Sequence, residues 1–157
     1  MSCVAFGLVT QLYIWPWLRR LERDEALVPL VVLHTLRFIG LSFLVPGVVS
    51  PALPLAFAAP AAYGALVAAL LAGAATVALS RRTCSAIVVV WLYTVWGMAD
   101  LLLAFYQGLF GGELDARLLG AACFMPAAVM PPFRIMHGLI FWLLVRPGKG
   151  ISHASEA

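Results

Sequence analysis

Residues 26–49 form a long apolar run in which His34 and Arg37 stand near the middle. A run of this length can cross a lipid bilayer as a helix, because about 20 apolar residues span the hydrocarbon core. Ionisable side chains at membrane depth are costly and usually face the interior of a helical bundle. The sequence therefore predicts a membrane-spanning helix with a buried polar position.

The rest of the chain shares the apolar character of this run. Of its 157 residues, 64% are hydrophobic and 11% are charged, and the mean hydropathy is +1.01. Average soluble domains are about 45–50% apolar and about 25% charged, so this composition excludes an ordinary soluble domain. Membrane β-barrels alternate apolar and polar residues, whereas the runs here are continuously apolar. We expect an all-α integral membrane protein.

The apolar runs predict one compact bundle of five transmembrane helices over residues 1–146. The spans are expected at residues 3–18, 26–49, 61–79, 84–107 and 118–145, and a short disordered cytoplasmic tail at residues 147–157. The first run is short and contains Pro16. The alternative is therefore four spans with an interfacial N-terminal helix. The three prolines of residues 50–60 predict a loop against the membrane surface.

The distribution of basic residues predicts the orientation. One side of a five-helix bundle receives Arg19, Arg20, Arg23, Arg81, Arg82, Arg146 and Lys149, whereas the loops on the other side contain Arg117. Cytoplasmic loops are enriched in Lys and Arg, so the C-terminus is expected in the cytoplasm and the N-terminus outside. The net charge of +3 thus reflects orientation and not nucleic-acid binding. Without eukaryotic targeting features, we expect a multi-pass protein of a bacterial inner membrane.

Two predicted spans each carry a histidine and an arginine at matching depths. His34 and His137 both lie eight residues from the cytoplasmic ends of their spans, which places them about 12 Å deep at the rise of a helix. Arg37 and Arg134 each lie three residues deeper. The four side chains therefore predict a shared binding site.

The predicted fourth helix carries a stripe of hydrogen-bonding groups. At about 100° per residue one side collects Tyr93, Trp96, Gly97, Asp100, Ala104 and Gln107. Asp100 is the one carboxylate inside a predicted span, so we expect it to form an ion pair or a proton relay with Arg37. The pocket is expected to be lined by Tyr93, Trp96, Gln107 and Met130.

Pro131 and Pro132 are expected to kink the fifth helix just before Arg134 and His137, because proline removes a backbone donor. Interrupted helices are tolerated in membranes where they line a cavity or are buried in protein. The alternative is that the helix ends at these prolines, which would leave Arg134 at the membrane interface. The histidines and the Arg37–Asp100 pair also have a purely structural alternative as hydrogen bonds between helices.

The most concrete functional hypothesis is a bis-histidine haem b electron carrier. His34 and His137 would ligate the iron, and Arg37 and Arg134 would bind the propionates. The electron partner would be a quinone. Haem is the expected cofactor and haem iron the expected metal under this hypothesis.

Three other functions remain open from the sequence. The first is non-redox binding or transport of a small lipophilic or anionic molecule. The second is a lipid-modifying enzyme with Asp100 or a histidine as acid or base, although no nucleophile motif or phosphate-binding loop predicts a catalytic residue. The third is an accessory subunit of a larger membrane complex or a homo-oligomer. The lipid bilayer is the expected partner in every case.

Overall fold

The computed structural model describes residues 2–110 and 115–146, and its regular structure there is helical apart from one isolated bridge between Pro46 and Val49. Five helices follow one another: α1 (Ser2–Leu18), α2 (Arg23–Leu44), α3 (Leu55–Ser80), α4 (Ala86–Phe110) and α5 (Met130–Val145). A 3₁₀ segment, Ala116–Cys123, and a π-helical turn, Met125–Val129, precede α5. The predicted tail at residues 147–157 lies outside the described residues.

Three of these helices are long and apolar enough to cross a membrane. They are α2, α3 and the part of α4 over Ala86–Gly108, whereas α1 and α5 are shorter apolar helices. Their outward faces carry large exposed apolar side chains, including Leu36 and Phe38 on α2 and Leu70 and Val77 on α3. The all-helical fold class is confirmed, and the count of five spans stays a prediction.

The helix α2 changes its winding halfway along. Arg23–Leu33 is α-helical, and the next 11 residues, His34–Leu44, form a 3₁₀ helix. Side chains three residues apart are eclipsed in a 3₁₀ helix. The buried residues of this half recur every third position: His34, Arg37, Gly40 and Phe43. The unusual winding therefore directs one histidine, one arginine and one glycine to the same inner face.

Small residues allow α2 and α3 to pack closely. The buried residues of α3 are almost all alanines: Ala58, Ala61, Ala62, Ala65, Ala68, Ala69, Ala72 and Ala75, with Leu79. A β-carbon added at Gly40 would lie 2.7 Å from the Cβ of Ala65. Such contacts between small residues let membrane helices approach at the backbone. The predicted start of this helix at residue 61 is wrong, because Pro54 accepts the first amide hydrogen bonds and Pro60 lies inside α3.

The bundle has two apolar clusters along its length. The first contains Leu18, Ala26, Leu30, Leu79, Ala86 and Leu144. It lies at the end of the bundle where the helix termini are next to most of the arginines. The second contains Phe43, Leu53, Ala58, Leu119 and Met125. We call the first end the basic end, defined by Arg19, Arg20, Arg23, Arg81, Arg82 and Arg146. Arg117 is the one basic residue at the opposite end within the described ranges.

The segment before α5 differs from the single helix expected over residues 118–145. Gly120 has φ 52°, a left-handed conformation that favours glycine. A β-carbon there would lie 2.6 Å from the Val48 carbonyl oxygen, which accepts a hydrogen bond from the Ala121 amide at 2.8 Å. Pro131 and Pro132 lie in the first turn of α5, directly after the π-helical turn Met125–Val129, and the kink expected at these prolines stays a prediction.

Candidate functional site

A layer of polar side chains lies between the two apolar clusters. This polar layer consists of His34 and Arg37 from α2, Tyr93 and Asp100 from α4, and His137 from α5. Both histidines and Tyr93 are 0% exposed. The ring centroids of His34 and His137 are 4.3 Å apart, with the rings at 88°. The structure thus brings together four of the five ionisable residues that the sequence singles out.

Arg37 is the centre of the hydrogen bonding in this layer. Its Nη2 forms an ion pair with Oδ2 of Asp100, and its Nη1 donates to the Gly97 carbonyl at 3.0 Å. The side chains of Arg37 and Asp100 are only 3% and 10% exposed. Breaking a buried pair strands a charge in a medium of low dielectric, so the two groups depend on each other.

Two glycines make room for these groups. A β-carbon at Gly97 would lie 2.6 Å from Nε2 of His137 and 3.0 Å from Nη1 of Arg37. A β-carbon at Gly64 on α3 would overlap the Asp100 carboxylate. Gly97 belongs to the stripe predicted on α4, whereas Gly64 lies on α3, where the sequence predicts no site residue. The only signal for Gly64 was its position within a helix of small residues.

Several buried polar atoms of the layer have no hydrogen-bond partner in the described part of the chain. They are both ring nitrogens of His34, Nε2 of His137 and the hydroxyl of Tyr93. His137 Nδ1 lies 3.3 Å from the Phe133 carbonyl oxygen. A buried polar group without a partner is costly, so packing alone gives no reason for these residue types here.

A cavity of about 420 Å³ adjoins the polar layer on the side that faces away from the basic end. Most of its wall is apolar and includes Ile39, Phe43, Phe57, Phe105, Met125 and Met130. Arg37, Asp100 and Arg134 supply the charged groups of the wall. Ile39 and Phe105 are also exposed at 38% and 43%, so the cavity reaches the outer surface of the bundle.

Arg134 enters the cavity wall separately from the polar layer. Its guanidinium carbon lies 3.9 Å from the centroid of the Phe105 ring, a cation–π contact. No carboxylate among the described residues is within ion-pairing distance of it. The cavity therefore faces two positive charges, Arg37 and Arg134, and one negative charge, Asp100.

Only one of the four predicted lining residues lies in the cavity wall. Met130 does, whereas Tyr93, Trp96 and Gln107 do not. Tyr93 is sealed in the polar layer, and Trp96 is 46% exposed with its indole Nε1 donating to the Gly64 carbonyl at 3.3 Å. The Oε1 of Gln107 is buried without a partner in the described residues. A periodicity of 100° per residue predicts a broad helix face, but it does not distinguish residues at the centre of that face from those at its edges.

The two histidines do not fit a bis-histidine haem. Ligation of one iron from opposite sides, with metal–nitrogen distances of roughly 2 Å, would hold the ring centroids roughly 6 Å apart with a porphyrin between them. Here the centroids are 4.3 Å apart and the edge of one ring meets the face of the other. Neither histidine lines the cavity. The residues present therefore do not support the haem hypothesis.

Comparisons with known proteins identify the family but supply no activity. No curated protein and no solved structure matches the chain. A protein-family model described as a domain of unknown function, DUF8737, matches residues 1–145. This match includes all five helices, the polar layer and the cavity. The chain therefore belongs to the DUF8737 family.

Proposed function

We propose that the chain is an integral membrane protein whose bundle binds a small lipophilic molecule with one negative charge. The observation that carries the proposal is the apolar cavity of about 420 Å³ with Arg134 and the Arg37–Asp100 pair in its wall. Small-molecule sites are mostly apolar clefts of about 300–1,000 Å³ with a few polar groups that orient the ligand. The volume and the lining both agree with this pattern.

The charges of the wall favour a monoanion. Arg37 is neutralised by Asp100, whereas Arg134 adds one further positive charge within the described residues. Its stacking on Phe105 holds the guanidinium plane and leaves the N–H groups free to bind an acceptor. A guanidinium binds a carboxylate through two parallel hydrogen bonds. A long-chain carboxylate would place its head at Arg134 and its alkyl chain along the phenylalanine and methionine side chains.

We further propose five spans in a bacterial inner membrane, with the basic end in the cytoplasm. The charge difference supports this orientation, because six arginines of the described residues lie at the basic end and Arg117 at the other. The cavity then opens in the outer half of the bilayer. Its exposed rim at Ile39 and Phe105 would admit a ligand sideways from the acyl chains.

Photoaffinity labelling in membranes tests the binding site. Membranes that contain the protein are labelled with a diazirine-bearing hexadecanoate, and cross-linked peptides are identified by mass spectrometry. We expect cross-links at the cavity wall, which α2, α3, α4 and α5 all contribute to, that excess hexadecanoate suppresses and hexadecanol does not. Arg134→Gln removes a charge-assisted hydrogen bond worth about 1.5–3 kcal/mol. We therefore expect it to lower the apparent affinity of the competing hexadecanoate roughly 10- to 100-fold.

Matched variants complete this experiment. Arg20→Gln is the control, because Arg20 is an exposed arginine that lies outside the cavity and its replacement removes the same charge. Arg134→Lys keeps the charge and should retain part of the affinity. Equal competition by hexadecanoate and hexadecanol would contradict a contribution of the negative charge to binding. Cross-links spread over the outer faces of the helices, without saturation, would contradict the cavity as a binding site.

A further inference from the structure

A second feature lies at the basic end, where the last turns of α1 and α5 meet. The rings of Trp15 and Trp142 are in contact, with centroids 4.7 Å apart at an angle of 59°. Each ring also contacts the arginine that directly follows its own helix. The guanidinium carbon of Arg19 lies 6.0 Å from the Trp15 ring, and that of Arg146 lies 5.0 Å from the Trp142 ring.

The helical spacing explains this arrangement. In both helices the arginine follows the tryptophan by four residues, so the two side chains lie on the same face. Because the two rings are in contact and both helices end at the basic end, each arginine lies one turn beyond its tryptophan on the same side of the bundle. We call these four side chains, Arg19, Trp15, Trp142 and Arg146, the arginine–tryptophan stack.

Neither arginine of the stack has a carboxylate partner within the described ranges. The ion pairs of the basic end join Arg23 to Asp24 at 3.4 Å and Arg82 to Glu25 at 3.6 Å. Arg19 and Arg146 are instead exposed and held against aromatic faces. Stacking on a ring fixes the plane of a guanidinium and leaves its N–H donors available to a second group.

The surface beside the stack is apolar. Leu8 and Leu12 on α1 are 53% and 64% exposed, and Val145 on α5 is 59% exposed. Tryptophan is typical of the membrane–water boundary, where one edge of the ring meets headgroups and the rest meets acyl chains. A ligand of the stack would therefore contact charged donors and a hydrocarbon surface together.

We infer that the arginine–tryptophan stack is a binding site for an anionic phospholipid. The headgroup phosphate would accept hydrogen bonds from Arg19 and Arg146, and the acyl chains would lie along the exposed side chains of α1 and α5. Basic pockets between membrane helices on the cytoplasmic side bind anionic headgroups in this way. The inference is independent of the cavity ligand, because the two sites share no residue.

Native mass spectrometry of the purified full-length protein tests the inference. The protein in detergent is titrated with phosphatidylglycerol or phosphatidylcholine of the same acyl chains, and the first bound lipid is quantified. We expect tighter binding of phosphatidylglycerol, by about fivefold for each arginine that contacts the headgroup. Arg19→Gln with Arg146→Gln should bring the two lipids to within about twofold.

Two further variants separate a built site from general attraction to positive charge. Arg20→Gln with Arg81→Gln removes the same charge from the same end but leaves the stack intact, and should keep most of the preference. Trp142→Leu leaves every charge in place but removes the ring that Arg146 packs against, and should lower the preference. An unchanged Trp142→Leu preference, or equal losses in both double variants, would overturn the inference.

Discussion

The Asp100 carboxylate on α4 occupies the space that a β-carbon at Gly64 on α3 would fill. Asp100 also forms the buried ion pair with Arg37, so this contact joins three helices at one point. The position of the carboxylate, and through it the guanidinium at the cavity wall, depends on the absence of a side chain at Gly64.

Gly64→Ala should therefore destabilise the protein. The new methyl group must displace Asp100 or separate α3 from α4, and overpacking of this kind typically costs about 1–3 kcal/mol. Gly73→Ala on the same helix is the control, since its β-carbon meets nothing within 4 Å. Thermal unfolding in detergent, followed by circular dichroism, measures both. Equal melting temperatures for the two variants would contradict the proximity of Gly64 and Asp100.

The contact between α2 and α3 can be tested with a compensating pair. Gly40→Ala should lower the melting temperature, because the new Cβ would lie 2.7 Å from the Cβ of Ala65. Ala65→Gly in the same chain removes that clash and should restore part of the lost stability. The cycle of single and double variants measures the coupling. Additive losses would mean that the two residues do not touch.

The buried ion pair should be far more important for stability than an exposed one. Arg37→Gln leaves Asp100 without its partner, and loss of one member of a buried pair typically costs about 3–5 kcal/mol. Glu25→Gln breaks the exposed pair with Arg82 and should cost at most about 1 kcal/mol. Unfolding by a denaturing detergent compares the variants. A small effect of Arg37→Gln would indicate that water reaches the pair.

The three native cysteines test the proposed orientation. All three are free and exposed; Cys84 adjoins the basic end, whereas Cys3 and Cys123 lie toward the opposite end. A membrane-impermeant maleimide should label Cys3 and Cys123 in spheroplasts and Cys84 in inside-out vesicles. Single-cysteine variants resolve each site, with detergent-permeabilised samples as the control. The reverse pattern would place the basic end outside.

Filling the cavity should abolish ligand binding without unfolding the bundle. Ala104 on α4 lies in the cavity wall, so Ala104→Phe should reduce the hexadecanoate-protected photolabelling at least about tenfold by removing the volume for the alkyl chain. Ala99 is exposed on the same helix, and Ala99→Phe is the matched control. Labelling that survives Ala104→Phe would exclude the cavity as the labelled site.

The helical fold and the positions of the polar residues followed from hydropathy and from the cost of buried charge. Such arguments identify Asp100 and Arg37, because an ionisable side chain in an apolar run is costly to expose to lipid and therefore faces the interior of the bundle. They also gave His34 and His137 similar depths, but depth along a helix does not determine how two rings meet. The separation and angle of the imidazoles depend on helix rotation, and that geometry removes the support for haem.

Other features depend on contacts that the sequence does not display. The 3₁₀ winding of His34–Leu44 changes the repeat from 3.6 residues to three, and its buried face becomes apparent only with α3 beside it. Gly120 adopts a left-handed turn because Val48, distant in the sequence, crosses it. Pro60 lies inside α3, where a rule based on proline alone predicts a loop.

The winding of α2 also affects its reach across a bilayer. At about 2.0 Å of rise per residue instead of about 1.5 Å, the 11-residue 3₁₀ half is roughly 5 Å longer than the same residues would be as an α-helix. The 22-residue helix Arg23–Leu44 is therefore longer than an α-helix with the same number of residues. A change in bilayer thickness should therefore affect α2 differently from α3 and α4, which are α-helical throughout.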